Sequence, residues 1–193
     1  TQVVINEVSG SNSGQAFDSD NEPEDWFELY NTTDSEFDLS NHFLSDEPDN
    51  PYKFLIPEGI SIGPQEYMVA WASSKDMEMG NGELHTNFKI DLSGEPLLLT
   101  SPQGDLIDFF PAVTMKDGHA YGLKPDGSSN YRFFTSPTPG QSNDDAESFN
   151  QLLSPPMLFT APGQYNQEFD LFIGHPDPDA SVEAVRRHLL DVV

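Results

Sequence analysis

Cysteine is absent from all 193 residues, which removes disulfide staples, thiolate metal sites and thiol nucleophiles together. Basic residues are nearly as scarce: 8 Lys and Arg stand against 33 Asp and Glu, a formal net charge of −25. Nucleic acid and anionic membrane surfaces both require Lys and Arg facing phosphates, so neither is expected as a partner. No run approaches the ~18 apolar residues of a bilayer-spanning helix, so no membrane insertion is expected. The opening Thr1-Gln2-Val3-Val4-Ile5 has neither a basic n-region nor a long apolar h-region, and it reads as a strand. The chain must therefore hold itself together by an ordinary core. Leu, Ile, Val and Phe make up 47 of the 193 residues, a share above the roughly 20% below which a highly charged chain stays disordered.

Helical periodicity is nearly missing from residues 1–143, where short apolar or alternating runs are bounded by Gly, Pro, Asn, Asp or Ser. Strands are predicted near Val3–Val8, Trp26–Tyr30, Phe43–Leu44, Tyr52–Leu55, Tyr67–Ala72, Leu97–Thr100, Leu106–Phe110, Ala120–Leu123 and Arg132–Phe134. Ser101-Pro102-Gln103-Gly104-Asp105 suits a hairpin connection, and Pro125-Asp126-Gly127 suits a turn. Many short strands with dense turn chemistry point to an all-β sandwich. Val4, Ile5, Trp26, Leu29, Leu44, Leu55, Val69, Trp71, Leu98 and Ile107 are its expected core.

The pattern changes after Ser136, which divides the chain into a domain over 1–143, a linker over 144–156 and a partial second β module over 157–193. Ala146, Phe149, Leu152 and Leu153 fall at helical spacing before Pro155-Pro156. Short β patterns follow at Met157–Thr160 and Glu168–Ile173, and Ser181–Val193 places Val182, Val185, Leu189 and Val193 on one helical face.

Ordered blocks across the first 143 residues carry a resemblance. They are Ile5-Asn6-Glu7, Asp25-Trp26-Phe27-Glu28-Leu29-Tyr30-Asn31, Asp38-Leu39-Ser40, Phe43-Leu44-Ser45-Asp46, and Phe54-Leu55-Ile56-Pro57-Glu58-Gly59. Tyr67-Met68-Val69-Ala70-Trp71-Ala72, His85-Thr86-Asn87-Phe88-Lys89, Gly94-Glu95-Pro96-Leu97-Leu98-Leu99 and the closing Pro137-Thr138-Pro139-Gly140 with Asn143 complete them. In this order and spacing the chain resembles the lamin-tail domain in its bacterial, secreted form. The resemblance implies an immunoglobulin-like β-sandwich without catalysis, found as a module of exported or surface proteins. Residues 155–182 resemble, more weakly, the opening of a chitobiase-type carboxy-terminal β module. Pro156, Pro162-Gly163-Gln164-Tyr165, Phe169–Ile173 and Pro178-Asp179-Ala180-Ser181-Val182 carry that likeness, and the chain leaves the pattern at Glu183-Ala184-Val185.

Asp18-Ser19-Asp20-Asn21-Glu22-Pro23-Glu24-Asp25 is the first candidate site. Calcium takes six to eight oxygens, and Asp18, Asp20, Glu22 and Asp25 on one loop would supply several. Thirteen acidic residues precede the first basic one, Lys53, so neutralisation is expected from a cation, protonation or screening. The segment lacks the EF-hand glycine and terminal glutamate. A solvated acidic loop is the plain alternative.

Glu7 and Glu28, on two predicted strands, form the second candidate. Paired carboxylates are what glycoside hydrolysis needs. The structural alternative has each accepting backbone or hydroxyl hydrogen bonds near one end of the sandwich, and that is the reading adopted. His42, His85, His119, His175 and His188 are scattered singly, without the i, i+4 spacing of a zinc helix. Gly10-Ser11-Asn12-Ser13-Gly14 does not form a nucleophile elbow, and no phosphate-binding glycine loop leads into a helix.

No enzyme is therefore expected, and no cofactor is required beyond the calcium considered above. The first reading is a non-catalytic extracellular structural or interaction module of a larger bacterial secreted or surface protein, with a protein or a surface polysaccharide as partner. A calcium-dependent adhesion or carbohydrate-binding module, using the 18–25 loop and aromatics such as Tyr52 or Tyr131, is the second. An accessory domain of a neighbouring hydrolase or nuclease is the third. Oligomeric state stays open.

Overall fold

Alternating apolar residues, flanked by turn formers, organise the described residues into short strands joined by turns. The computed structural model describes residues 2–79 and 83–153, together with the backbone of two short strands further on. It divides into two units, Thr1–Asn150 and Gln151–Val193.

The first unit contains β1 (Val3–Ser9), β2 (Asp25–Asn31), β3 (Phe37–Asp38), β4 (Phe43–Ser45), β5 (Phe54–Leu55), β6 (Ser61–Ile62) and β7 (Tyr67–Ala72). These are followed by β8 (Met77–Met79), β9 (Glu83–His85), β10 (Leu97–Thr100), β11 (Leu106–Phe110), β12 (Ala120–Leu123) and β13 (Tyr131–Phe134). A seven-stranded sheet runs β13-β12-β1-β2-β7-β9-β8, a four-stranded sheet runs β11-β10-β4-β5, and β3 pairs with β6. All pairs in the larger sheet are antiparallel except β7 with β9. The architecture is the expected all-β, immunoglobulin-like sandwich. The expected turns form too: Ser101 N–H donates to Asp105 O, and Ser128 N–H to Pro125 O.

The core lies between the sheets. Val3, Ile5 and Val8 of β1, Phe27 and Leu29 of β2, and Ala70 and Ala72 of β7 meet Leu44, Phe54, Leu97, Leu99 and Phe110. Strand alternation explains the selection, with one exception. Ile5 and Val8 are three residues apart yet face the same side, because β1 bulges between Ile5 and Glu7. The Ile5 N–H is turned to the opposite sheet, where the Asp108 carboxylate accepts it at 2.7 Å. The bulge also aligns Glu7 with Glu28 in the β1–β2 register.

Four expectations need correction. Leu55 is 51% exposed, whereas its neighbours Phe54 and Ile56 are buried. Val69 and Ile107 are only half-buried. Trp26 and Trp71 are buried but belong to the outer face of the seven-stranded sheet, opposite the main core. No helix forms over Ala146–Leu153. Phe149 instead exchanges two 2.9 Å backbone hydrogen bonds with Phe133, extending the β13 edge.

In the second unit, Met157–Leu158 (β14) pairs antiparallel with Ile173–Gly174 (β15). The helix expected over Ser181–Val193, and most of the 155–182 segment, lie outside the described residues.

Candidate functional site

Asn12 shapes the acidic loop. Its Oδ1 accepts the Gln15 and Ala16 N–H groups at 3.1 and 2.8 Å, and its Nδ2 donates to Glu24 O at 3.1 Å. Within the loop, Asp18 turns inward until its side chain is fully buried. Asp18 Oδ1 accepts the Asp20 and Glu22 N–H groups at 3.0 and 2.7 Å. Asp18 Oδ2 accepts Lys75 Nζ at 2.7 Å. The same ammonium lies 2.6 Å from Glu22 and 3.8 Å from Glu24, and Lys89 lies 3.3 Å from Glu24. Burial alone would raise Asp18, but Lys75 and the Glu22 N–H outweigh it and hold the carboxyl below its ordinary range.

Asp18, Asp20, Glu22 and Asp25 are not gathered into one ligand set; among the described residues no three His, Asp or Glu side chains could hold a metal ion together. Asp25 instead is pushed up to about 6 by burial, against the pull of Lys89 and a backbone bond to Ile90. Neutralisation comes from lysines more than fifty residues away in sequence.

The second candidate lies on the outer face of the large sheet. Glu7 and Glu28 sit opposite each other on β1 and β2, both with no solvent exposure. A strap over residues 137–143 crosses them. Thr138 N–H donates to Glu7 Oε1 and Oε2 at 3.3 and 3.2 Å, and Thr138 Oγ1 lies 2.9 Å from Oε2. Gly140 N–H donates to Glu28 Oε2 at 2.6 Å, and Asn6 Nδ2 donates to Glu28 Oε1 at 3.1 Å. The structural reading of this pair is therefore what the geometry displays.

A third carboxylate, Asp126 of the turn between β12 and β13, was not foreseen as part of this group. It accepts Asn6 Nδ2 at 2.8 Å, Tyr67 OH at 2.7 Å, Asn143 N–H at 3.1 Å and the Ser142 hydroxyl. Burial, reinforced by neighbouring carboxylate charge, pushes Glu7 up to about 7 and Glu28 up to about 8. Glycine at 122 is needed beside this group, since a Cβ there would stand 2.5 Å from Asn6 O and 3.0 Å from the Glu7 Cα.

A family profile described as Lamin Tail Domain matches residues 1–114. The chain belongs to the lamin tail domain family. No curated protein matches it. The lamin tail domain is immunoglobulin-like and non-catalytic, which agrees with carboxylates sealed beneath a strap. Strands β12 and β13 and the strap lie beyond the matched residues, yet β12 pairs directly with β1 at Glu7 and Val8. The strap thus completes this lamin tail domain from outside the matched range. Two surface cavities, of about 360 and 310 Å³, are lined around Asp108 and Tyr131 and around Glu36 and Asp38 respectively. Neither includes Glu7 or Glu28.

His85 is fully buried, with Nδ1 3.0 Å from Ser73 Oγ. His42 contacts Ser40 O, and His119 contacts Asp117 O. Ser11 bonds the Asp117 carboxylate. Each has a local structural role, and His175 and His188 lie outside the described residues.

Proposed function

We propose that this lamin tail domain serves as a non-catalytic extracellular module of a larger bacterial secreted or surface protein, presenting its surface to a protein or a surface polysaccharide. The supporting observation is the enclosure of Glu7 and Glu28. The two groups best suited to acid–base work are unexposed, and their oxygens are occupied by Thr138, Gly140 and Asn6. A strongly acidic surface keeps such a module soluble and repels polyanions. The calcium-dependent reading stays the alternative, with Lys75 already 2.7 Å from Asp18 and 2.6 Å from Glu22 in the loop it would use.

The test uses the natural full-length protein carrying an epitope tag in this domain, expressed in the organism that encodes it. Protease added to intact cells should remove the tag, or the tag should be found in the medium. Tag that is protected in intact cells and released only by lysis refutes the extracellular reading.

A further inference from the structure

The hydrogen bonds under the strap cannot all be made by ionised carboxylates. Thr138 has one hydroxyl proton, yet Oγ1 lies within bonding distance of both Asn143 Oδ1 and Glu7 Oε2, the latter at 2.9 Å. Asn143 has only one workable amide orientation. Its Nδ2 donates to Leu123 O at 3.0 Å, and flipping the amide would set two oxygens face to face there. Asn143 therefore presents Oδ1 to Thr138, and the single hydroxyl proton cannot serve both oxygens. A proton on Glu7 would supply the second bond.

The surroundings agree. Glu7 faces Glu28 on β2, Asp126 on the β12–β13 turn, Tyr67 on β7 through Asp126, and Asp144 at the end of the strap through the Asp126 N–H. Every bonding partner of Glu7, Glu28 and Asp126 is neutral. Lys124, which follows β12, donates to Ala146 O instead. Glu7 and Glu28 are both unexposed and meet no cation among the described residues, so holding both ionised side by side is costly.

We propose that the strap over residues 137–143 is a proton-dependent latch, closed when Glu7 is a neutral acid donating to Thr138 and loosened when that proton is lost. The sign is opposite to ordinary acid unfolding. Glu7 and Glu28 are raised in the folded state, so their contribution is complete below the ordinary glutamate range. It declines as pH rises through about 7 and 8. An alkaline shift loosens the latch and acid tightens it.

Hydrogen exchange of the peptide spanning the strap, corrected for intrinsic exchange, tests this on the whole chain. Between pH 6 and 8.5 its protection should fall by more than about tenfold, since one proton released on opening gives up to tenfold per pH unit. Protection of peptides in β4 and β10 should fall less. Glu7→Gln keeps an acceptor for Thr138 N–H and places an amide donor at Thr138 Oγ1, so it should stay protected with a flatter pH dependence. Should that variant fail to fold, Glu28→Gln and the wild-type protein still decide. Glu28→Gln should likewise flatten the profile. Strap protection that is level across this range in the wild type, or an unchanged slope in the folded Glu variants, overturns the proposal.

Discussion

Lys75→Met isolates the neutralisation of the acidic loop. The methionine keeps the length of the aliphatic stem and deletes the ammonium that reaches Asp18 at 2.7 Å and Glu22 at 2.6 Å. Removing one member of a buried ion pair costs about 3–5 kcal/mol, because the partner is left as an uncompensated charge. Two features of the loop reduce that figure. Asp18 Oδ1 keeps its backbone bonds from Asp20 and Glu22, and the Lys75 side chain is 23% exposed, so water reaches the vacated position. The expected loss is about 2–3 kcal/mol, or about 4–12 °C in Tm for a chain of this size.

Urea unfolding followed by circular dichroism, at pH 7 and low salt, measures it. Asp18→Asn in the Lys75→Met background removes the stranded charge while keeping an acceptor for the two N–H groups. The double variant should recover about 1 kcal/mol or more relative to Lys75→Met, a non-additivity of contacting residues. A single-variant loss below about 0.5 kcal/mol, or strictly additive effects, would show the ion pair to be an ordinary solvent-screened contact of little worth.

Further outcomes follow from the same packing. Trp71→Ala should cost about 3–5 kcal/mol in the same urea assay, because a large buried ring is lost from the outer sheet face; a loss under about 1 kcal/mol would contradict its burial. Leu55→Thr should change stability by no more than about 0.5 kcal/mol, since Leu55 is half exposed, and a large loss would place it back in the core. Gly94→Ala should cost more than about 2 kcal/mol, since its φ is +99° and a Cβ would lie 2.5 Å from the Val113 backbone. NaCl up to ~0.5 M should raise Tm by screening the net charge, and calcium at equal ionic strength should add nothing; a calcium-specific rise would restore the metal reading.

The long strands were legible because each carries its own pattern. Val3–Val8, Tyr67–Ala72, Leu97–Thr100 and Leu106–Phe110 are bounded by turn residues and alternate or run apolar, and the observed strands match them closely. The two-residue strands Phe37–Asp38 and Ser61–Ile62 are too short to establish a period. Facing failed where both faces are apolar. Phe54-Leu55-Ile56 offers no alternation, and the pairing of Phe54 with Leu44 is what turns Leu55 outward. Trp26 and Phe27 are both fully buried, on opposite faces of one sheet. The spacing of Ala146, Phe149 and Leu152 suited a helix, but the open edge of β13 took up Phe149 in its place.

The candidate sites were half legible for a related reason. Glu7 and Glu28 could be paired because each lies on a recognisable strand, and the closing Pro137-Thr138-Pro139-Gly140 was visible as a motif. Their union over 131 residues, from Thr138 to Glu7, has no local signature. The same holds for Lys75 on Asp18, 57 residues away, and for Asp126, which reads as a mere turn residue.

A chain with four times as many acids as bases folds by giving its buried carboxylates different solutions. Asp18 is matched with an ammonium, which the chain can supply only a few times. Asp108, half-buried, accepts the Ile5 N–H from the opposite sheet, so a backbone donor and a carboxylate satisfy each other. Glu7 and Glu28 meet no cation among the described residues and are instead held in the neutral direction by burial beneath the strap. These solutions respond differently to conditions. Salt weakens the first, changes the second little, and alkali undermines the third. Stability of this lamin tail domain should therefore fail first at the strap as pH rises, while the loop anchored by Lys75 should hold until Asp18, kept below its ordinary range, is protonated in acid.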